Sequence, residues 1–367
     1  MATQTRVWRH FDIWLLAAVA VMTIAGVAMI RSAIGGNANL AELVPRQAIY
    51  AVLGFVVIFV ATAIDYRIWS AVARPLYVFT VGLLFFIDLS GVVGFGSARW
   101  FNVGIVLIQP SELAKTTMII VLADFFARHE AEIHSPRTIL RSLALVGVPM
   151  LLIFRQPDLS TSIVVGVIWL ALIWAAGAKI KHLLVMAGSG LLAILAAIPF
   201  LQPYQIARVI TFLFPNPEAS YGATYNVKQA LIAIGSGGWF GEGYGQGTQV
   251  QLRFLKVRHT DFIFSVISEE FGFVGAILVM ALLMFVIYRC LRAARIARDT
   301  FGALICYGVA ILFLFQGSFN IGMNMNLFPV SGLTLPFISY GGSSLLSSLL
   351  GVGLVESVIL RHKQIEL

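Results

Sequence analysis

The sequence predicts an all-α integral membrane protein of about ten transmembrane helices, and three observations carry that prediction. The chain of 367 residues is 59% hydrophobic and only 11% charged, whereas about 25% of residues are charged in soluble domains. Its apolar residues fall in long runs, each close to the ~20 residues that cross a bilayer. Its Lys and Arg gather in alternate connections, the asymmetry that orients a polytopic chain.

The first run, near 12–31, follows Arg6 and Arg9. It is too long for the apolar core of a signal peptide and lacks a small-residue cleavage site, so it reads as a retained helix. Further spans fall near 47–64, 75–91, 108–127, 141–155, 159–176, 182–200, 262–288, 301–320 and 337–360. Pro110 suits the first turn of the fourth span and Asp158 the N-cap of the sixth. The Pro- and Gly-rich stretch 321–336 interrupts the pattern and has no assigned element.

Placing both termini in the cytoplasm puts Arg67, Arg74, Arg128, Arg137, Arg141, Lys179, Lys181, Arg289, Arg292, Arg295, Arg298, Arg361 and Lys363 on that side, with Arg6 and Arg9. Residues 201–261 then form one long extracytoplasmic loop between the seventh and eighth helices of a single polytopic domain, 1–367. Its centre, YNVKQALIAIGSGG, has the pattern of an amphipathic helix. The following GSGGWFGEGYGQG reads as turns or a re-entrant segment. Outside that loop, Arg31, Arg46, Arg99, Lys115 and Arg155 remain on the wrong side for orientation and need another reason to exist.

Several functions are unsupported by motif. Cys290 and Cys306 lie in or beside membrane runs and suggest neither a disulfide framework nor a thiolate metal site. No P-loop, HExxH or GxSxG triad is present, and the six histidines lack metal-ligand spacing. The net charge of +8 reflects membrane orientation and does not imply nucleic acid.

Ionisable groups inside membrane spans are costly and are functional candidates by default. Four stretches carry them. In RWFNVGIVLIQPSELAK, Glu112 and Lys115 are spaced to pair on one helix face, below Arg99 and Gln109; a self-satisfied staple between helices is the plainer alternative. In RQPDLSTS, Arg155 and Asp158 could pair locally, or Asp158 could simply cap the next helix. In KVRHTDFIFSVISEEFGFVG, Asp261 follows Lys256, Arg258 and His259. Glu269 lies about 12 Å further along a helix and about 80° around it, and Glu270 nearly opposite, so the three carboxylates cannot cluster. Asp261 stands at the mouth, or merely favours a helix N-terminus. Glu269 and Glu270 are expected to brace other elements, with Glu269 the better placed to face a cavity. In FNIGMNMNLFPVSGLTLPFISYGGSSLL, broken backbone at membrane depth implies a protein-lined or watery cavity. Asn320, Asn324, Asn326, Ser339 and Ser343 to Ser344 could line it, or serve only close packing.

Taken together, Arg46, Arg99, Lys115, Arg155, Lys228, Lys256 and Arg258 beside Glu112, Asp158 and Asp261 describe a cationic cavity near the outer leaflet. It suits a membrane-embedded anion such as a lipid-linked diphosphate, with a rim carboxylate acting as general base toward a sugar hydroxyl.

RWFNVGIVLIQPSELAK, QPDLSTS, RHTDFIFSVISEEFGFVG and PVSGLTLPFISYGGSSLL resemble the SEDS family (shape, elongation, division and sporulation) in order along nearly the whole chain. The resemblance is greatest to its elongation members, with the division type a close alternative. It implies a ten-helix peptidoglycan glycosyltransferase polymerising lipid II at the outer face of the cytoplasmic membrane. Undecaprenyl diphosphate would be released. A class B penicillin-binding protein would be the transpeptidase partner, among other elongation-complex membrane proteins. The family's essential aspartate matches Asp261; Arg99, Gln109, Glu112, Lys115 and Asp158 match its other functional positions. A divalent cation, Mg2+ or Mn2+, could share the diphosphate, although the sequence shows no dedicated cage. A lipid II flippase and a non-catalytic scaffold for the transpeptidase are the rival functions. Transport would require charge continuing toward the cytoplasmic half, where Asp124, Glu269, Glu270 and Glu356 alone hint at it.

Overall fold

The computed structural model describes residues 10–90, 101–103, 106–182, 184–186, 188, 190, 203–214, 222–255 and 257–362. Its helices are α1 (Ile13–Ile34), α2 (Leu43–Ala63), α3 (Tyr66–Ser90), α4 (Pro110–Arg128), α5 (Pro136–Arg155), α6 (Leu159–Ala175), α7 (Pro203–Leu213), α8 (Ala223–Ser236), α9 (Ile263–Ile296), α10 (Thr300–Asn324) and α11 (Gly342–Leu360). Seven of them are long and apolar enough to cross a membrane, and α6 is a shorter apolar helix. The seventh predicted span, 182–200, falls mostly outside the described residues. The prediction of an all-α membrane protein holds. A short antiparallel hairpin, β1 (Phe101–Val103) with β2 (Val106–Ile108), precedes α4 and was not expected.

Helix ends differ from the apolar runs for local reasons. α3 starts nine residues before Pro75, carrying the proline inside it, because residues 66–74 are helical although Arg67 and Arg74 keep them out of an apolar window. α9 continues past its apolar run through Arg289, Arg292 and Arg295. α11 begins only at Gly342, after an irregular segment in which Gly332 and Phe337 have φ of 79° and 66°.

α11 lies at the centre, with 89% of its apolar window buried, whereas α3 has only 22% and is peripheral. Small residues allow that central position. Gly353 sits against Ile58 and Ala61 of α2, and Thr62 Oγ1 donates to the Gly353 carbonyl at 3.4 Å, the close approach that membrane helices use in place of a hydrophobic drive. The outer faces carry exposed apolar side chains such as Ile13, Ile24, Phe79, Phe86, Ile277 and Leu278, as a lipid-facing surface requires. Both ends of the described chain lie on one side, where the His10 and His362 rings are 4.9 Å apart. Asp261 is at the other end, just before α9.

The segment between α6 and α9 is more structured than a loop. α7 and α8 precede a glycine-rich run, 237–247, that re-enters beside α9. α9 is broken there, because Gly272 has φ 64°. The backbone groups freed by the break pair with the run: Glu242 N–H donates to Glu269 O at 2.9 Å, Gly243 N–H to Glu270 O at 3.0 Å, Phe273 N–H to Gly238 O at 2.8 Å and Val274 N–H to Trp239 O at 3.1 Å. A Cβ on Gly241, whose φ is 80°, would collide with the backbone of Glu270 and Phe271. Gly241→Val is expected to cost about 1–3 kcal/mol by overpacking and to lower the thermal midpoint of the purified protein in detergent. Gly235→Ala, where nothing lies within 4 Å, should hold or raise it.

Candidate functional site

Asp261 sits on backbone whose consecutive carbonyls are all held. The His259 carbonyl accepts Tyr340 N–H at 2.9 Å and the Thr260 carbonyl accepts Ser339 Oγ at 2.7 Å. The Asp261 carbonyl accepts Nδ2 of both Asn320, at 3.1 Å, and Asn324, at 3.0 Å. Asn324 Oδ1 in turn accepts from Ser265 N and Oγ, at 3.2 and 2.6 Å, in the first turn of α9. Both asparagines are fully buried, so the end of α10 fixes the start of α9 and with it the aspartate. The carboxylate itself is half-buried. Desolvation pushes its pKa up to about 6, against the opposing pull of a Thr260 hydrogen bond and the Arg208 charge.

Residues 331–332 link α6 and α7 to the surroundings of this carboxylate. Gly332 lies against it, with Asp261 Oδ2 4.0 Å from where a Cβ would stand. The Ser331 carbonyl accepts Ser160 Oγ of α6 at 2.7 Å and Arg208 Nη1 of α7 at 3.4 Å. Arg208 also lines a cavity of about 260 Å3 with Lys228, Asn326 and Phe328.

A second polar group is built at the start of α4. Gln109 Nε2 donates to Ser111 Oγ at 2.9 Å and to Asp158 Oδ2 at 3.1 Å, and Ser111 Oγ reaches the same oxygen at 3.3 Å. Asp158 also caps α6 through Thr161 N–H, 3.2 Å from Oδ1. Capping and a link to α4 therefore coexist. Ser343 Oγ joins the hairpin to α11, accepting Gln109 N–H at 2.9 Å and donating to Leu107 O at 2.6 Å.

One turn deeper, Lys115 Nζ contacts Glu112 Oε2 at 2.8 Å and donates to Gln316 Oε1 at 2.9 Å. Gln316 Nε2 continues to Thr334 Oγ1 at 2.9 Å, which shares a hydrogen bond with Ser344 Oγ at 2.7 Å. Lys115 is 1% exposed and Glu112 8%. The pair is a buried, bonded unit joining α4, α10 and the 331–341 segment that also holds Thr260.

Several candidates have other partners than expected. Arg155 pairs with Asp88, 3.3 Å away, instead of Asp158, because α5 runs beside α3 at this end. Arg258 is buried and donates to the carbonyls of Ala33, Ile34 and Leu255, tying the end of α1. Arg46 is exposed and bonded to Glu42 at 2.6 Å. His259 is pushed below its ordinary pKa by burial and then by Arg258, so it adds no cation at neutral pH. Ser339 and Ser343 have their hydroxyls on backbone carbonyls, and Lys228 is exposed. Arg99 and Lys256 lie outside the described residues. Glu269 does not face the Asp261 side. Its Oε1 accepts Gln249 N–H at 2.7 Å and Thr248 Oγ1 at 3.3 Å, just after the glycine-rich run, and Glu270 accepts Ser32 Oγ of α1. Gln316, Thr334 and Arg208 were missed. Gln316, a lone amide inside an apolar run, carried the same signal as the asparagines; Arg208 had none beyond being basic.

This architecture defines a multi-pass membrane protein with a buried polar site at one end of its bundle, topped by a half-buried carboxylate. The chain belongs to the FtsW, RodA and SpoVE family of cell cycle proteins, which matches residues 7–364. Peptidoglycan glycosyltransferase MrdB of Escherichia coli K12 is 35% identical over 361 residues, covering 97% of this chain and 95% of MrdB. A probable peptidoglycan glycosyltransferase FtsW of Thioalkalivibrio sulfidiphilus is 37% identical over 366 residues, 97% of this chain and 91% of its own. Among solved structures, a chain of a peptidoglycan synthase complex that coordinates polymerization and crosslinking superposes with TM-score 0.80 at 30% identity, covering 96% of this chain and 99% of its own. The rod shape determining protein RodA of Thermus thermophilus gives 0.72 at 29% identity, covering 96% and 98%.

Removing one partner of a buried ion pair strands the other. Lys115→Met is expected to destabilise the protein by about 3–5 kcal/mol, read as a lower thermal midpoint in detergent. Adding Glu112→Gln to it should recover part of the loss.

Proposed function

We propose that this chain polymerises lipid II into glycan strands at the outer face of the cytoplasmic membrane, with Asp261 as the general base. As a member of its family it is a peptidoglycan glycosyltransferase. The observation that carries the residue assignment is the immobilised, half-buried Asp261, whose pKa of about 6 leaves it ionised near neutrality yet basic enough to accept a proton.

The reaction reads as an inverting displacement. Asp261 takes the proton of the acceptor GlcNAc 4-hydroxyl as that oxygen attacks C1 of the donor MurNAc. The new C1–O bond forms on one face while the C1–O bond to the diphosphate breaks on the other, releasing undecaprenyl diphosphate with its electron pair. Cations near a leaving diphosphate stabilise the charge it gains. Arg208 and Lys228, which line a common cavity, supply two. Lys115 acts from within its buried network, setting the position of the 331–341 segment instead of meeting substrate directly. Among the described residues no three His, Cys, Asp or Glu side chains come together to hold a metal ion. An Mg2+ or Mn2+ ion would take most of its ligands from substrate oxygens and water.

The end bearing both ends of the described chain and Arg67, Arg74, Arg128, Arg289, Arg292 and Arg361 is assigned to the cytoplasm on the positive-inside bias, which turns Asp261 outward. A class B penicillin-binding protein is the proposed crosslinking partner, supported by the similarity to a chain of a synthase complex. The transport reading loses its support at the carboxylates it needs. Asp124 is bonded to Arg128, Glu356 to the Asp12 N–H, Glu269 to Gln249 and Glu270 to Ser32 of α1.

Asp261→Asn, incubated with lipid II in proteoliposomes containing the partner, is expected to make no polymer while keeping the wild-type thermal midpoint; polymer at the wild-type rate would remove Asp261 from the role of base. A base must be ionised, so protonation removes activity. The wild-type kcat/KM should fall about tenfold per pH unit below a pH near 6 and stay level for a unit or more above it.

A further inference from the structure

At the end of the bundle opposite Asp261, a cavity of about 340 Å3 opens between α3, α4 and α5. α3 and α4 each line it with a cation and with apolar surface one turn away. α3 offers Arg74, then Tyr77 and Val78; α4 offers Arg128, then Phe125 and Val121. α5 offers Leu145, and Arg141 precedes it by four residues, a spacing that shares one helix face. The side toward lipid is open, since Val78 is 68% exposed and its neighbour Phe79 62%.

The charge in this cavity is positive after its own pairings. The carboxylate lining it, Asp124, is already matched, with both oxygens 2.9 Å from Arg128 Nε and a further bond from Ser70 Oγ. Glu130, on the loop after α4, accepts from Thr300 Oγ1 at 2.9 Å, and Glu132 on the same loop is exposed to solvent. His129 is held over Phe125, ring centroids 4.4 Å apart, with Nδ1 on the Phe125 carbonyl at 2.8 Å. Neither Arg74 nor Arg141 takes part in an ion pair among the described residues.

We propose that this cavity is a binding site for an anionic phospholipid, with the phosphate between Arg74, Arg141 and Nη1 of Arg128, whose Nη2 is already bonded to Ser70, and an acyl chain over Tyr77, Val78 and Leu145. A free anion has no use for the apolar floor, and a neutral lipid has none for the arginines. Cations with apolar surface one turn further into the bundle match the order of headgroup and chain in a leaflet, and basic pockets between transmembrane helices suit such headgroups.

Native mass spectrometry of the full chain in detergent, titrated with phosphatidylglycerol or phosphatidylcholine, tests the site. Phosphatidylglycerol is expected to bind more tightly, and Arg74→Gln and Arg141→Gln each to weaken it roughly five-fold. Arg292→Gln, an exposed arginine at the same end outside this cavity, should leave that affinity unchanged. Equal binding of the two lipids would overturn the proposal, as would an Arg292→Gln loss as large as that of Arg74→Gln. Displacement of phosphatidylglycerol by an equal concentration of glycerol 3-phosphate would equally remove the role of the chain, and with it the lipid.

Discussion

Backbone that leaves the helix inside a membrane protein cannot turn to lipid for hydrogen bonds, and this constraint organises the whole site. The segment between Asn324 and Gly342 is irregular, with positive φ at Asn326, Gly332 and Phe337. Its polar groups are met by side chains brought from other helices: Ser160 on Ser331, Asn320 on Leu333, Gln316 on Thr334 and Gln47 on Ser339 and Gly341. In return the segment supplies Ser339 and Tyr340 to the backbone before Asp261. The catalytic candidate is thus held by the same bonds that satisfy the broken chain.

The glycine-rich run 237–247 repeats the solution at α9. A helix broken at Gly272 exposes donors and acceptors that only a closely approaching backbone can meet, and glycines at 237 and 241 permit the approach. The Glu269 and Glu270 carbonyls hold the run from the helix side, while their carboxylates bind Gln249 just after it and Ser32 of α1. Glu269 and Glu270 thus brace neighbouring elements, as their position in the sequence implied, whereas Asp261 lies outside the helix and is only half-buried.

The Glu112 and Lys115 pair shows how a staple and a functional network can be one object. Buried ion pairs contribute little net stability against apolar replacements, yet breaking one is costly. Here the pair is extended through Gln316 and Thr334 to Ser344, so α4, α10 and α11 share one register. A change at Lys115 is felt at the segment that positions Asp261, without Lys115 being exposed to a ligand.

Much of this was legible in the sequence. The apolar runs gave the helices because a bilayer demands a minimum length. Asp261 is kept apart from Glu269 and Glu270, as their spacing implied, although it precedes α9 and is placed by backbone bonds and not by helical rotation. The Pro and Gly interruptions marked where the backbone would break. Partners were a different matter. Arg155 meets Asp88 from 67 positions earlier, Arg258 turns inward to the end of α1, and Asn320 and Asn324 close on a carbonyl about sixty residues before them. Local spacing sets which groups share a helix face; which helix lies opposite that face is settled by the packing of the bundle as a whole, and there only the tertiary structure could decide.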